Sequence, residues 1–420
     1  MINCTAWKTM VLAGIIACLG CSSEKPAGTL EQRGHIKLVR LYGTPYEMGY
    51  QHGSLLRQEI LEGAEFIENS ALWILMDWAV YAGFLDRAWK YSYDDVIDEC
   101  RGIEDAVPGG ITADQCLVLA YGEVIVEFFD GGHAVSCSQF AAAGAATKDG
   151  KLLHGRNLDW EALSFIEENP VVFYREPRGK LAYLSLGFPG NVAPYSGMNE
   201  AGISVASNEA TAVSDVSPDG RGHVQMIRQI LSHATTLEEA EAFLRAQTHT
   251  TAEILMVSDA VARKAAVFEM TASKMGVRYL NSDEIVYTTN HFEEPSMAGE
   301  SIEVGPGDSS WNRYLRLEQI LEPGGDDSLY GLLDIENAIA VLRDTYNPHT
   351  GVTHPPDLAD GGGSIANNGN LQSVVFSAAQ GVMYVGVGRV PAVTNEFMRF
   401  SFEQARAGVG AHPGFPEIIP

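Results

Sequence analysis

Basic residues are scarce in this chain: 28 Lys and Arg stand against 54 Asp and Glu in 420 residues, a formal charge of −26 at pH 7. Phosphate backbones and anionic membrane surfaces are held by clustered Lys and Arg. No basic run occurs anywhere, so nucleic acid is excluded as a partner. Long apolar runs are also lacking. The stretch MVLAGIIACLG after Lys8 is too short to span a bilayer and has the length of a secretory apolar region. Cysteines number only six, and no internal repeat is found. What is present is 46% hydrophobic residues, enough for one large or two ordinary cores, and 43 glycines, which suit many tight strand connections.

The N-terminus reads as an export signal of lipoprotein type over residues 1–20, with Cys21 as the lipid-bearing residue, followed by a polar tether over 21–34. Gly20-Cys21-Ser22-Ser23 has the downstream context of such a site. Cys18, preceded by Ile15-Ile16-Ala17, is the alternative, and a plain cleaved signal peptide is a third reading. Each predicts an exported bacterial protein, periplasmic or on the cell surface, whose membrane attachment is through an N-terminal lipid only. Removal of this segment leaves Cys100, Cys116 and Cys137. An odd count in an oxidising compartment points to one thiol kept free. Cys100 and Cys116 are either paired or both free and buried.

Helical periodicity dominates residues 44–127, after a strand at 35–43, with a break at VPGGIT (107–112). From Cys137 the pattern changes to strand-length runs separated by KDG, RGK and NEAG turns. Two helices follow, the second opened by a capping-box pattern of Thr236 and Glu239. Strands return over 252–290, helices over 309–322 and 334–344, and two strands are expected to close the chain. This order predicts an α+β fold of stacked antiparallel sheets with helices outside. An α-rich front segment (35–136) precedes a β-rich body (137–420).

Cys137 stands at the start of the first body strand. Centring the following turn on Asp149 places Cys137 opposite about residue 161, makes Asp159 a diagonal neighbour, and puts Arg156 on the opposite face unless a bulge intervenes. A guanidinium would lower the thiol pKa and a base would take its proton. No histidine is obviously placed for that. His154 needs no role beyond a satisfied polar group, and His133 would require a sharp turn. His349, His354, Asp357 and Asp360 offer metal-ligand types, but their Pro- and Gly-rich setting reads as a surface loop.

The segment CSQFAAAGAATKDGKLLHGRNLDW (137–160) is read together with GTPYEMGYQHGSLLRQEI (43–60), SGMNEAGISVASNEA (196–210), VYTTNHF (286–292) and GDSSWNRYLRL (307–317). These resemble the acyl-coenzyme A:6-aminopenicillanic acid acyltransferase-like family of autoproteolytic N-terminal nucleophile hydrolases, relatives of choloylglycine hydrolase. The resemblance implies a four-layer αββα sandwich and a self-inflicted cut between Ser136 and Cys137, the former standing where the family often has glycine. It also implies that the freed α-amine of Cys137 serves as base. Arg156 and Asp159 match the residues that contact the nucleophile and its amine, Asn290 matches an oxyanion donor, and Arg313 matches a buttressing arginine. Asn208 is a second donor candidate. The implied reaction attacks a small-molecule acyl amide through a Cys137 thioester, by hydrolysis or transfer, with no metal or organic cofactor required. The alternatives are a non-catalytic ligand-binding lipoprotein on the same scaffold and a papain-like Cys–His hydrolase.

Overall fold

The strand expected at the front of the chain is the second of a hairpin, β1 (Thr29–Arg33) and β2 (Ile36–Gly43). The computed structural model describes residues 27–130, 136–160, 164–355, 363–407 and 414–420. The export signal, Cys18, Cys21, His133, Asp357 and Asp360 lie outside these residues. The expected tether is shorter than residues 21–34, because Thr29–Arg33 pairs in full register with Ile36–Arg40.

Seven helices follow among the described residues: α1 (Pro45–Leu55), α2 (Arg57–Asn69), α3 (Leu72–Tyr81), α4 (Phe84–Tyr91), α5 (Asp94–Ala106), α6 (Ala113–Leu119) and α7 (Gly122–Asp130). Thr44 and Glu47 form a complete capping box at α1, with Pro45 in its first turn. α1 and α5 approach so closely that a Cβ on Gly49 would lie 2.0 Å from the carbonyl oxygen of Glu99. Cys100 on α5 and Cys116 on α6 are joined by a disulfide. The open question between paired and free thiols is thereby closed.

The body starts with β3 (Ser138–Gly144) and β4 (Gly150–Asp159), then the short α8 (Ser164–Glu168). β5 (Val171–Pro177), β6 (Tyr183–Gly187), β7 (Ser196–Asn199) and β8 (Ile203–Glu209) lead to α9 (His223–His233) and α10 (Leu237–Arg245). At α10 Thr236 caps the Glu239 amide, but the Glu239 carboxylate accepts from Thr235, so the expected box is only half formed. β9 (Glu253–Asp259), β10 (Lys264–Met270), β11 (Met275–Tyr279) and β12 (Ile285–Thr288) precede α11 (Ser309–Leu321) and α12 (Ile335–Leu342). A small hairpin, β13 (Tyr346–Asn347) and β14 (Val352–Thr353), leads to β15 (Asn370–Ser377) and β16 (Val382–Val387). The chain does not close there. β17 (Phe397–Ser401), α13 (Phe402–Ala407) and β18 (Ile418–Ile419) extend the same sheet.

Among the described residues two large sheets result beside the β13-β14 hairpin, one of nine strands in the order β1-β2-β5-β6-β7-β8-β9-β10-β11 and one of seven in the order β12-β3-β4-β15-β16-β17-β18. Every pairing is antiparallel except β2 with β5. Ala141, Val374 and Phe376 of the smaller sheet meet Leu184, Ile254 and Met256 of the larger in one buried cluster between them. Helices α9 and α10 cover the outer face of the larger sheet through Ile227, Leu231 and Leu244. Helices α11 and α12 cover the smaller sheet through Leu317, Ile320 and Leu342. This is the four-layer αββα arrangement.

The front segment is not a separate unit. Its β2 lies inside the nine-stranded sheet, and Val39 and Leu41 share a core with α1–α7. A buried ion network ties it further. Glu99 of α5 accepts from Arg175 of β5 at 3.1 Å and pairs with Arg228 of α9 at 2.6 Å. Burial pushes the Glu99 carboxyl up, but Arg175 and Arg228 together hold it well below the usual carboxylate range.

Candidate active site

Cys137 immediately precedes β3, an interior strand of the smaller sheet with β12 on one side and β4 on the other. It is 2% exposed and is the free cysteine among the described residues. The hairpin register differs from the expected one. Gly144 pairs with Gly150, so the loop is centred on Thr147 rather than Asp149, and a register shift follows between Ala142 and Gly144. Gly144 has φ +51°, and a Cβ there would strike the Glu284 carboxylate, whose Oε2 accepts from the Ala145 amide. From there Ser138 pairs with Asn157 and Gln139 with Arg156.

The offset from expectation is an odd number of residues, and in a period-two strand an odd slip exchanges the faces. Moving the loop centre by two residues changes the pairing by four and keeps the faces. The register shift between Ala142 and Gly144 adds the odd residue, so Arg156 shares the face of Cys137 through the irregularity that the sequence reading required. Asp159, expected on that face, reaches the thiol through its main chain instead: Cys137 Sγ donates to the Asp159 carbonyl at 3.8 Å.

The Asp159 carboxylate is clamped by two asparagines. Asn367 Nδ2 donates to Oδ2 at 2.6 Å and Asn370 Nδ2 to Oδ1 at 2.7 Å. A bulge in β15 between Asn370 and Gln372 turns Asn370 into this position. Burial pushes Asp159 up to about 6, against the pull of Asn370, Arg313, Asn367 and Arg156.

Arg313, on α11, is fully buried and gathers the site. It donates to the Cys137 carbonyl, to Ser138 Oγ at 3.1 Å, to Ser309 Oγ at 3.2 Å and to Asn290 Oδ1 at 2.8 Å. Ser309 Oγ in turn lies 3.3 Å from Ser136 Oγ. Asn290 Nδ2 donates to the Glu209 carbonyl at 2.7 Å, and Ser310 Oγ receives the Asn290 amide at 2.8 Å. Desolvation lowers Arg313 to about 10. Arg156 donates to the Ser207 carbonyl at 2.7 Å.

Asn208 lies in the neighbouring network rather than on the thiol. Its oxygen accepts from Gln139 at 2.6 Å and its Nδ2 donates to the Thr289 carbonyl at 2.8 Å. His154 is buried and satisfied, as expected, by Ser204 at 3.1 Å and Gln139 at 3.3 Å, and desolvation lowers it to about 3. Among the described residues no histidine is hydrogen-bonded to the thiol, and no group of three or more His, Cys, Asp or Glu is arranged to hold a metal ion. His349 is exposed and His354 half-buried. Burial pushes the Cys137 thiol up. Arg156 pulls it down, Asp159 raises it, and the hydrogen bond to the Asp159 carbonyl and the Arg313 charge lower it.

Two cavities lie near the thiol and share Glu123, Leu158, Trp160 and Tyr195 as walls, and Cys137 itself lines the smaller. One, about 390 Å³, is lined mainly by apolar side chains, among them Phe66, Leu75, Phe129, Trp160, Phe188 and Tyr195. The other is about 10 Å³ and lies between Cys137, Arg156, Tyr195, Glu209, His223 and Glu123. Asn367, Asn370, Glu123, Glu209 and His223 are site residues that sequence reasoning missed. Only Asn367 and Asn370, in the run ANNGN, carried a local signal, that of a turn rich in amide side chains.

Two sheets sandwiched between helical layers, with a buried cysteine at the head of a central strand, define the class of N-terminal nucleophile hydrolases. Residues 145–390 match the family model for acyl-coenzyme A:6-aminopenicillanic acid acyl-transferase, and the chain belongs to that family of enzymes. It is similar to an uncharacterized protein of Archaeoglobus fulgidus, 27% identical over 373 residues, with 78% of this chain and 61% of that protein covered. The chain thus spans less than two thirds of that relative's length. It is similar as well to the 40 kDa form of acyl-coenzyme A:6-aminopenicillanic-acid-acyltransferase of Emericella nidulans, 23% identical, with 67% of this chain and 76% of the relative covered. Among solved structures, penicillin V acylase from Agrobacterium tumefaciens aligns with TM-score 0.41 and 15% identity, covering 66% of this chain and 90% of the other.

Proposed function

We propose that this chain is an exported, self-cleaving cysteine amidohydrolase that cuts non-peptide acyl amides through a thioester on Cys137. The observation that carries this reading is the gathering of Arg156, Asp159 and Arg313 around buried Cys137, with Asn290 held by Arg313. A binding module has no use for all four together.

In the proposed cycle the bond between Ser136 and Cys137 is first broken, which frees the Cys137 α-amine. An α-amine with a pKa of about 7.7–8.0 suits a base near neutral pH. Asp159, clamped by its two asparagines, orients that amine. The thiol is buried and resists ionising on its own, so the amine takes its proton as sulfur attacks the carbonyl carbon of the amide. The developing oxyanion is met by the second N–H of Asn290 Nδ2, aimed before the reaction by Arg313. The amine of the substrate leaves with the proton, and a thioester remains. Water, activated by the same α-amine, then resolves it. Hydrolysis is favoured over transfer because acyl-coenzyme A is scarce outside the cytoplasm, and the Cys100–Cys116 disulfide supports an oxidising compartment.

The apolar 390 Å³ cavity against Trp160 and Tyr195 is the seat of the acyl chain. The test uses a series of N-acyl amides of rising chain length with the mature protein and with Cys137→Ser. Release of amine by the first, with a hydroxylamine-trappable acyl group on Cys137, supports the reading. Undiminished turnover by Cys137→Ala overturns it.

A further inference from the structure

Self-cleavage, as proposed above, poses a chemical difficulty that the mature cycle does not. Before the cut the nitrogen of Cys137 is an amide, so the α-amine base does not yet exist. The thiol to be activated is buried, and burial pushes its pKa up. Some other group must take the proton.

The small cavity beside the thiol holds the answer. Its volume of about 10 Å³ is room for about one water. Leu158 and Trp160 form part of its wall, and polar side chains complete it: Arg156 Nε and Nη1 are buried with no acceptor other than the thiol beside them. Glu123 lines the same cavity. It stands on α7, the last helix before the bond to be cut, and is 3% exposed. Neither of its carboxylate oxygens is taken up by a side-chain hydrogen bond. His223 Nδ1 lies 3.6 Å away and stands closer to Glu253 Oε1, at 2.7 Å.

We propose that Glu123 accepts the Cys137 proton through one water in this cavity during self-cleavage. The S–H proton passes to the water as a proton of that water passes to the carboxylate. The thiolate forms a C–S bond to the Ser136 carbonyl carbon, and the carbonyl electron pair moves onto its oxygen. As that pair returns, the C–N bond breaks and the nitrogen takes the proton back from Glu123 through the water, becoming the α-amine. A second water hydrolyses the resulting thioester to the Ser136 carboxylate and a free thiol.

The groups facing Glu123 set its charge. They are His223 of α9, Glu253 of β9, Glu209 of β8, Arg156 of β4 and Tyr195, with Tyr121 on its own stretch of chain, while Glu127, one turn further on, faces Glu253 instead. Burial and Glu253 push Glu123 up to about 7 against the pull of His223. The deprotonated, base-competent fraction therefore grows as pH rises through that value.

The test follows cutting of the full chain on denaturing gels at pH values on both sides of 7. The wild type is expected to cut faster as pH rises, about tenfold per unit below the inflection, then to level off. Glu123→Gln is expected to cut about 100-fold more slowly and to lose the inflection. Glu127→Gln, one helical turn further on, is expected to cut like wild type. Glu123→Gln with wild-type rate and profile overturns the proposal, and so does equal slowing by Glu127→Gln, which would indicate a diffuse charge effect. If Gln at 123 destabilises the fold, Glu123→Asp decides: cutting with a shifted inflection supports the role, and no cutting by a folded protein overturns it. A wild type that stays uncut at every pH instead defeats the self-cleavage reading on which this inference rests.

Discussion

Arg313 Nη2 donates to Asn290 Oδ1 at 2.8 Å, and this bond settles which way the Asn290 amide points. A guanidinium only donates, so the amide oxygen must face it and the nitrogen must face away. The nitrogen turns to the Glu209 carbonyl with one N–H, and the other is the one that the proposed cycle assigns to the oxyanion. Asn290→Ala is therefore expected to lower kcat about 10²–10³-fold with little change in KM. Arg313→Lys, which cannot hold the Cys137 carbonyl and Asn290 in one fork, is expected to share that kcat loss. Steady-state kinetics on an N-acyl amide checks both, and a change confined to KM would contradict the assigned role.

Asp159 makes stability depend on pH. Its folded carboxyl sits at about 6, raised by burial from 3.8. A carboxyl raised on folding contributes stability below its unfolded pKa, and that contribution is lost as pH rises through the folded value. The shift corresponds to about 3 kcal/mol. In a Cys137→Ala background, the stability of the Asp159 protein relative to Asp159→Asn is expected to fall by about that amount between about pH 4 and pH 6. Denaturant unfolding at several pH values measures it, and a flat difference would refute it.

The disulfide lies wholly on the N-terminal side of Cys137. After the cut the two chains should therefore separate on a denaturing gel with or without reductant. In native buffer they should stay together, because β2 is built into the larger sheet and Glu99 is locked to Arg175 and Arg228. Size-exclusion chromatography of cut protein is the check. Replacing both cysteines by serine is expected to cost about 3 kcal/mol of stability, from the sequence separation of 16 that the bridge closes.

The large cavity should sort substrates by acyl length. Val126 on α7 lines it, and Val126→Phe fills part of it without touching the thiol. Turnover of long-chain amides is expected to fall about tenfold or more while an acetyl amide is spared. Equal losses for both would place the acyl chain elsewhere.

Much of the architecture was legible from local pattern. Strand-length apolar runs marked most strands from β2 to β16, though not the short β7, β13 and β14, and the change of period at Cys137 marked the body. Cys137, Arg156, Asp159, Asn290 and Arg313 were grouped on resemblance, and the fold sets Arg156, Asp159 and Arg313 against Cys137 and Asn290 against Arg313. What failed was register. A loop centred on Thr147 rather than Asp149 moved the pairing by an even number and kept the faces, and the one-residue register shift between Ala142 and Gly144 then reversed those of Arg156 and Asp159, a step no turn residue marks. The carboxylate cluster was invisible for a different reason. Glu123, Glu209, His223 and Glu253 come from four elements far apart in sequence, and no local period links them. Asn208, a strand-end amide like Asn290, was separable from it only by seeing Gln139 opposite.

The most direct measurement is the intact mass of the purified protein beside Cys137→Ala, with N-terminal sequencing of any fragment. The account expects two chains from the wild type, the second beginning at Cys137, and one uncut chain from the variant. A wild type that remains a single chain while hydrolysing acyl amides would contradict it.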